Sequence, residues 1–405
     1  MKKILAWAGL AFILAGAGAL AFRLFEPVFV YNAGWRPLPK TAPAARSETN
    51  DQAWTAQAPG ALAALEQGRH DLQAPAVSAA VAIDGHLVWR GVVGYADIEA
   101  LKPADFDTRF RLGSTSKAVT SVAAGTLIDQ GRLDVDQPIQ TYVPNYPQQA
   151  WPMTLKQVMS HRAGIRDYGL CLCFPIWEHL NTHSFAGVDE EVGRVAHAPL
   201  LFKPGTDFRY TSMGYNLVGA AIEHASGEPF SAYVERAVFK PLGMTESGLD
   251  TAGAAGFYET RDAQYARAFP VDNSIRWPSG GFLSTPSDMV KLGDAMLDDE
   301  LLSAKTRSLL VTVPADGGAS RGAKVYALGW RHSPWTLYDG RLKLDSYHHA
   351  GTAVGSTSVF VVLPERHIVL SVMMNKGGED VDGLSATADR ILQAFIPDPG
   401  TPPTH

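Results

Sequence analysis

Apolar side chains recur at helical spacing in several stretches of the chain. The clearest stretch follows the tetrapeptide at 114–117. Its apolar positions are Val119, Val122, Ala123 and Leu127. This spacing places the tetrapeptide on the first turn of a buried helix. The same pattern predicts helices over 212–225, 287–297 and 384–395, and the middle of the chain, about 114–297, is predicted to be mostly helix and loop.

Strands are predicted at both ends of the globular part. Residues 77–83 and 86–93 are joined by Asp84-Gly85, a two-residue turn typical of a tight hairpin. Further extended segments are predicted over 109–112, 325–331, 342–347, 356–363 and 367–374. Because strands from both ends flank a helical middle, we expect an α/β fold of the α+β type: one antiparallel sheet flanked by helices, with an inserted, mostly helical lobe. A ligand site is expected in the cleft between sheet and lobe.

The first 23 residues differ from the rest of the chain in their hydrophobic pattern. Lys2 and Lys3 precede an uncharged and largely apolar run over 4–22, which Arg23 follows. Such a segment is either a secretory signal or a single membrane anchor. We favour an uncleaved anchor because the run is long for a signal, although Ala19-Leu20-Ala21 offers a cleavage site. The lysines would stay in the cytoplasm. The remainder would then lie outside the inner membrane, in a bacterial cell envelope, or be secreted if cleavage occurs.

Changes in composition divide the chain into four parts. Residues 1–23 form the anchor or signal, and 24–59, rich in proline, alanine and polar residues toward its end, form a tether. Residues 60–396 form the globular domain, and 397–405 form a proline-rich tail. A chain of 405 residues is long enough to bury a large core.

Composition and charge exclude some classes of function. With 46% hydrophobic and 19% charged residues, the chain resembles an ordinary globular protein. Its formal net charge of −6 offers no basic surface of the kind that binds nucleic acid. Cys171 and Cys173 are separated by one residue, a spacing poor for a mutual disulfide, and no cysteine–histidine cluster accompanies them. We predict that both are structural or incidental and that the protein holds no metal ion.

The tetrapeptide Ser114-Thr115-Ser116-Lys117 is the first candidate for chemistry. Residues three apart on a helix share a face, so the Lys117 amine is expected beside the Ser114 hydroxyl. A hydroxyl, a neighbouring amine and a helix N-terminus together can form an activated nucleophile. On its own, however, the pattern more often reflects a serine that caps a helix and an unrelated lysine.

Three other segments carry polar residues that could serve catalysis. The first is Tyr210-Thr211-Ser212, at the start of a predicted helix. The second is His349-Ala350-Gly351-Thr352, on or beside a strand near the C-terminus. The third is 279–285, ahead of the helix that carries Asp288. Considered singly, the first two are better explained as a buried tyrosine with a satisfied hydroxyl and a histidine on a strand.

In this order, three of the motifs resemble those of the serine β-lactamase and penicillin-binding superfamily, in its class C and DD-peptidase branch. That superfamily uses S-x-x-K, then Y-x-N or Y-x-S, then K-T-G or H-x-G. The matching segments here are 114–117, 210–212 and 349–351, and the resemblance covers about residues 74–395. Shorter phrases at 94–97, 161–165, 271–274 and 280–285 are similar to the mitochondrial serine β-lactamase-like proteins and their bacterial relatives, which are regarded as serine peptidases or hydrolases.

The resemblance implies a role for each motif residue. Ser114 would attack an acyl carbonyl and form a covalent acyl-enzyme, and Lys117 and Tyr210 would share the work of the general base. The backbone N–H groups of Ser114 and Thr352 would form the oxyanion hole. The other residues implied in substrate binding and its hydrogen-bond network are Ser212, His349 and Gly351. The implied partner is a small-molecule or peptide substrate, with no cofactor and with no signal for an oligomeric state.

Two departures from β-lactamases narrow the expected activity. Ser212 replaces the common asparagine, and His349 replaces the lysine of K-T-G, which offers a fixed positive charge to a substrate carboxylate. We therefore expect a peptidase or esterase rather than an efficient cephalosporinase. Two alternatives stay open: a non-catalytic, membrane-anchored scaffold or binding protein, and a true β-lactamase or cell-wall DD-peptidase. The loop at 170–188, which contains both cysteines, is expected to help shape the substrate pocket.

Overall fold

The computed structural model describes residues 2–31, 34–171, 175–251, 254–378 and 380–400. The α-helices are α1 (Lys2–Tyr31), α2 (Ala58–Asp71), α3 (Ser116–Asp129), α4 (Leu155–Met159), α5 (Val188–Ala196), α6 (Ser212–Ser226), α7 (Phe230–Val234), α8 (Trp277–Gly280), α9 (Pro286–Asp294), α10 (Ala304–Val311), α11 (Arg321–Val325) and α12 (Val381–Phe395). The strands are β1 (Arg36–Pro37), β2 (Arg46–Thr49), β3 (Ala76–Ile83), β4 (His86–Asp97), β5 (Lys102–Pro103), β6 (Phe110–Arg111), β7 (Gly248–Leu249), β8 (Tyr258–Arg261), β9 (Gln264–Arg267), β10 (Phe282–Ser284), β11 (Arg331–His332), β12 (Trp335–Leu337), β13 (Leu342–Leu344), β14 (Tyr347–Ala353), β15 (Ser356–Leu363) and β16 (Ile368–Met374).

The main sheet is built from strands at both ends of the chain, as the sequence predicts. Its order is β11-β14-β15-β16-β3-β4-β2, with β5 paired to β4, and neighbouring strands are antiparallel. Strand β16 lies against β3, with Met374 opposite Val77. In the predicted hairpin turn between β3 and β4, Asp84 and Gly85 have φ values of 51° and 77°, as a type I′ turn requires.

Helices cover both faces of this sheet, so the central strands β3, β15 and β16 are buried along their whole length. Alternate residues of β3 enter different cores. Val77 and Val81 belong to a core with α2 and α12, whereas Ala80 and Ala82 belong to the larger core of the helical lobe. The predicted fold class, an antiparallel sheet flanked by helices with a mostly helical lobe, is confirmed.

The predicted strand over 325–331 is wrong, because β11 begins only at Arg331. Leu328 and Trp330 are instead buried in the core of the lobe. Gly329 between them has a φ of 101°, so the backbone turns there and does not extend along the sheet. The predicted strand over 342–347 is likewise divided: β13 pairs with β12 in a separate hairpin, and β14 starts after it.

The N-terminal helix α1 contains the apolar run. Ala6–Phe29 form a stretch of 24 residues with a mean hydropathy of 1.8, long and apolar enough to cross a membrane, and a signal sequence meets the same criterion. Parts of the predicted tether that follows are paired in sheets. β1 pairs with β9, and β2 forms an edge strand on β4, with Arg46 opposite Val92. These residues are ordered strands against the domain.

Cys171 lies in the loop between α4 and α5. It is disulfide-bonded, which corrects the prediction that its spacing from the next cysteine argues against such a bond. Cys173, the other cysteine of the chain, lies outside the described residues. Further along this loop, the buried Glu178 forms an ion pair at 2.6 Å with Arg166 of the same loop, and Arg166 also donates to the backbone carbonyl of Arg194 in α5.

Candidate active site

Ser114 lies on the turn that leads into α3, where the sequence predicts it. Gly113–Thr115 form a single 3-10 turn, and α3 continues from there. One helical turn after Ser114, the Nζ atom of Lys117 lies 3.1 Å from Ser114 Oγ. The same nitrogen lies 2.8 Å from the carbonyl oxygen of Ser279. The structure thus brings the amine and the hydroxyl within hydrogen-bonding distance.

Burial alters the acidity of Lys117. The side chain has no exposed surface. Burial lowers its pKa to about 7; the negative charge of Asp167 opposes this effect, and the positive charges of Arg276 and Arg331 add to it. An amine with this pKa is partly neutral near pH 7 and can accept a proton from a hydroxyl.

The start of helix α6 supplies the second motif. Thr211 caps the helix, and Ser212 Oγ lies 3.3 Å from Lys117 Nζ. The ring centre of Tyr210 is 4.9 Å from the same nitrogen. The Tyr210 hydroxyl is buried and has no hydrogen bond of normal geometry within the described part of the chain. Burial raises its pKa, and the neighbouring Ser114 hydroxyl acts in the opposite direction, so the phenol is protonated near neutral pH.

Two glycines let strand β14 approach the turn that carries Ser114. Gly113 has a φ of 53°, and a Cβ atom added to it would lie 2.7 Å from the carbonyl carbon of Thr352. A Cβ atom on Gly351 would overlap the carbonyl oxygen of Leu112 and lie 2.8 Å from the backbone nitrogen of Ser114. Only glycine, which lacks a Cβ atom, fits so close to another backbone. Glycine at both positions therefore allows the backbones of Ser114 and Thr352 to lie side by side.

His349 lies behind the site and faces Tyr326. Its Nδ1 atom is 2.7 Å from the carbonyl oxygen of Ala350, and its Nε2 atom is 2.9 Å from the Tyr326 hydroxyl. A carbonyl only accepts, so Nδ1 donates and Nε2 accepts from the tyrosine. Burial lowers the pKa of His349 well below its usual value, and the charges of Arg331 and Lys117 act in the same direction. The imidazole is therefore neutral.

Sequence reasoning missed three residues around this cluster. Asp167 Oδ1 accepts the backbone N–H of Ser212 at 2.9 Å. Tyr326 lies in the segment wrongly predicted as a strand. The buried ring of His161 is 4.2 Å from the ring of Tyr210 and 4.4 Å from that of Tyr326. His161 lies within the phrase 161–165 used for the family resemblance, and this was the available signal for it.

A cavity of about 610 Å³ opens beside Thr352, between the sheet and the helical lobe, where a ligand site was expected. β11 pairs with β14 only at Tyr347 and His348, so no other strand covers the β14 edge at 350–352 within the described chain. Among the residues that the structure describes, no group of three His, Cys, Asp or Glu side chains is arranged to hold a metal ion. The cavity is lined by Trp35, Tyr168, His179, Leu180, Glu259, Thr260, Arg261, Arg276, Thr352, Ala353, Val354 and Gly378.

Comparisons with known proteins agree with this arrangement. A family model described as "Beta-lactamase" matches residues 62–395. The mitochondrial "Serine beta-lactamase-like protein LACTB" of Bos taurus is 27% identical over 439 residues, covering 82% of this chain and 78% of the relative. "Esterase EstB" of Burkholderia gladioli is 31% identical over 200 residues, covering 47% of this chain and 51% of the relative.

Among solved structures, the D-amino acid amidase from Ochrobactrum anthropi SV3 has the same fold. It superposes with a TM-score of 0.70 at 22% identity, covering 83% of this chain and 98% of the amidase. The family model spans both the sheet and the lobe, and all three motifs lie inside it. The chain therefore belongs to the beta-lactamase family, within the serine β-lactamase and penicillin-binding superfamily, whose members include serine hydrolases.

Proposed function

We propose that this protein is a serine hydrolase that cleaves amide or ester bonds through a covalent acyl-enzyme on Ser114, as a peptidase or an esterase. The observation that carries the proposal is the buried Lys117 amine, 3.1 Å from Ser114 Oγ and with a pKa of about 7. A solvated lysine would be protonated and unable to act as a base near neutral pH. Burial supplies a base in the place where a nucleophile needs one.

In the first step, the neutral Lys117 amine takes the proton of the Ser114 hydroxyl as Oγ attacks the acyl carbonyl carbon. The carbonyl π electrons move to the oxygen and form an oxyanion. The backbone N–H groups of Ser114 and Thr352 would donate to this oxyanion, and the contact between Gly113 and β14 supports that geometry. Because these donors are held by packed backbone, little reorganisation is needed as charge develops.

In the second step, the tetrahedral intermediate collapses and the bond to the leaving group breaks. The leaving nitrogen or oxygen takes a proton from the Lys117 ammonium, either directly or through the protonated Tyr210 phenol. Water then gives a proton to Lys117 and attacks the acyl-enzyme, and Ser114 Oγ leaves with a proton returned from the lysine. Tyr210 is a relay here and not the primary base, since burial raises its pKa.

The neutral His349 favours peptide or ester substrates over cephalosporins. A lysine at this place would offer a charge to a carboxylate on the leaving side, whereas His349 accepts a hydrogen bond from Tyr326. The relative named as an esterase and the structural neighbour titled an amidase support the two bond types. We also propose that α1 anchors the enzyme in the bacterial inner membrane, with the catalytic domain outside the cytoplasm.

A fluorophosphonate probe tests the acyl-enzyme chemistry. The wild-type protein is expected to gain one adduct, mapped by mass spectrometry to Ser114, and Ser114→Ala is expected to gain none. Ser308→Ala, the same substitution at an exposed serine on α10, is the matched control and should label like wild type. Equal labelling of wild type and Ser114→Ala would overturn the proposal.

A further inference from the structure

Arg276 is a buried arginine in the wall of the cavity beside Thr352. It ends a 3-10 turn before α8 and is 9% exposed. Its guanidinium carbon lies 5.1 Å from the ring centre of Tyr168, and Nη2 donates to the backbone carbonyl of His179. These contacts fix the guanidinium in place and leave part of its hydrogen-bonding capacity open.

Among the described residues, no carboxylate fully compensates this charge. The buried Glu191 interacts with it only beyond ion-pair distance, and burial raises the pKa of Glu191 well above its usual value, which favours the neutral form of that carboxyl group. Arg276 has no ion pair within the described residues, and its buried Nε has no hydrogen-bond partner there. Two other buried arginines provide the contrast. Arg111 pairs with Asp250 at 2.6 Å, and Arg162 donates to the carbonyl oxygens of several residues and lies 3.5 Å from Asp316. Buried charges are normally compensated in this way, so a buried arginine without an anion is unusual.

The cavity in front of Arg276 also favours an anion. Arg261 lines the same space, with its guanidinium carbon 4.0 Å from the ring centre of Trp35. Glu259 is the carboxylate in the lining. Burial raises its pKa to about 7, so this group is partly protonated and neutral near pH 7. Two permanent positive charges therefore face one weakly acidic group. Arginine presents paired N–H groups that match the two oxygens of a carboxylate.

The direction of the cavity tells which part of a substrate reaches Arg276. The leaving group takes its proton from the side of Tyr210, whose ring centre is 6.5 Å from that of His349. The cavity continues the other way along the sheet, past Thr352 to Ala353 and Val354. A substrate with its carbonyl at Ser114 would thus send its acyl portion into the cavity.

We infer that Arg276 binds a carboxylate on the acyl portion of the substrate, so that this enzyme selects acids over neutral acyl groups. The inference rests on the proposed function, because it assumes that Ser114 receives the acyl carbonyl. Arg276 would be a specificity-determining residue and not a participant in proton transfer.

Matched chromogenic substrates test the inference. Succinyl-alanyl 4-nitroanilide carries a carboxylate on its acyl side, and its succinamoyl counterpart has a neutral amide of the same size; D- and L-alanyl forms of both are assayed. Wild type is expected to prefer the acid by tenfold to a hundredfold in kcat/KM, mainly through KM, since a hydrogen bond to a charged group contributes about 1.5–3 kcal/mol. Arg276→Gln should abolish the preference. The readout is the ratio of kcat/KM for the two substrates, because a change in the pKa of Lys117 alters the rate on both substrates alike.

Two further variants make the comparison specific. Arg276→Lys keeps the charge and should keep part of the preference. Arg261→Gln removes the other cavity arginine, which is exposed, and should keep most of it. Fluorophosphonate labelling and thermal unfolding show whether Arg276→Gln is folded. If wild type hydrolyses the acid and the neutral substrate equally well, or if Arg276→Gln keeps an equal preference for the acid, the inference is overturned.

A binding measurement separates this inference from the proposed function. Ser114→Ala is titrated calorimetrically with succinyl-alaninamide and succinamoyl-alaninamide, with and without Arg276→Gln. Selective binding of the acid that depends on Arg276 supports the inference, whether or not wild type hydrolyses the substrates. Absence of hydrolysis would contradict only the hydrolase proposal. Hydrolysis without charge selectivity in either assay would leave the hydrolase and overturn the role of Arg276.

Discussion

The two walls of the cleft hold buried positive charge in different ways. On the wall formed by α3, α6 and β14, Lys117 hydrogen-bonds to Ser114, and its lowered pKa lets it lose its charge. On the wall formed by the lobe beside Thr352, Arg276 stays charged, because a guanidinium does not deprotonate in proteins. A buried amine can be neutralised by losing a proton, whereas a buried guanidinium needs an anion. The first wall is thus suited to proton transfer and the second to recognition.

Substitutions of Lys117 should have the largest effect on this contrast. Lys117→Met removes the amine, and Lys117→Arg keeps a charge that does not titrate. Both are expected to lower kcat/KM for a 4-nitrophenyl ester by about 10³-fold, because a positioned general base contributes roughly 10²–10⁴-fold. Lys156→Arg, at a lysine paired with Asp136 on the surface, is the control and should keep full activity. Activity of Lys117→Arg within tenfold of wild type would mean that the charge matters and proton acceptance does not.

The contact between β14 and the nucleophile turn should give the next largest effect. In Gly351→Ala the new methyl group would collide with the backbone at Leu112 and Ser114. We expect a loss of activity of about 10²-fold from a displaced oxyanion hole, with destabilisation of about 1–3 kcal/mol from overpacking. Gly193→Ala, at a helical glycine with open space around it, controls for the added methyl group. Unchanged activity and unfolding midpoint in Gly351→Ala would refute the close approach.

A smaller effect should link the two walls. The positive charge of Arg276 helps to lower the pKa of Lys117. Removing it in Arg276→Gln should therefore raise the pH at which activity is half-maximal, by less than about one unit at physiological ionic strength. The measurement is the pH profile of kcat/KM on a neutral ester, with Arg261→Gln as the control. An unchanged midpoint would show that Arg276 does not affect Lys117, and a midpoint that moves down would contradict the predicted sign of the effect.

The first wall, for which we propose proton transfer, was largely predictable because its residues are close in sequence or belong to short motifs. Helical spacing places Lys117 beside Ser114, and the hairpin and the strands over 356–363 and 367–374 follow from local patterns of apolar residues and turn residues. The same reasoning failed for 325–331. Residues 325–330 form a short continuous apolar run, which is also typical of a buried strand. Here the run is buried in the lobe around a turn at Gly329, and an apolar run indicates burial without showing whether the segment is a strand.

The second wall, for which we propose substrate recognition, was not predictable, since its residues come from segments far apart in the chain. Tyr168, Arg276 and Thr352 meet only through the packing of the lobe against the sheet. Trp35 reaches the same cavity from a segment that composition alone assigns to a tether. Whether a buried arginine has a carboxylate partner is a property of the tertiary structure, and no local pattern around Arg276 indicates it.

The pH dependence of Ser114 labelling tests the role of the buried amine most directly. The rate constant for fluorophosphonate labelling of the wild-type protein is measured from pH 5 to 9, with folding checked at each pH. Only the neutral form of Lys117 can take the proton of Ser114, and its pKa is about 7. The rate should therefore fall about tenfold per unit below pH 7 and level off above it. A rate that is flat across this range, or that falls as the pH rises, would contradict Lys117 as the base.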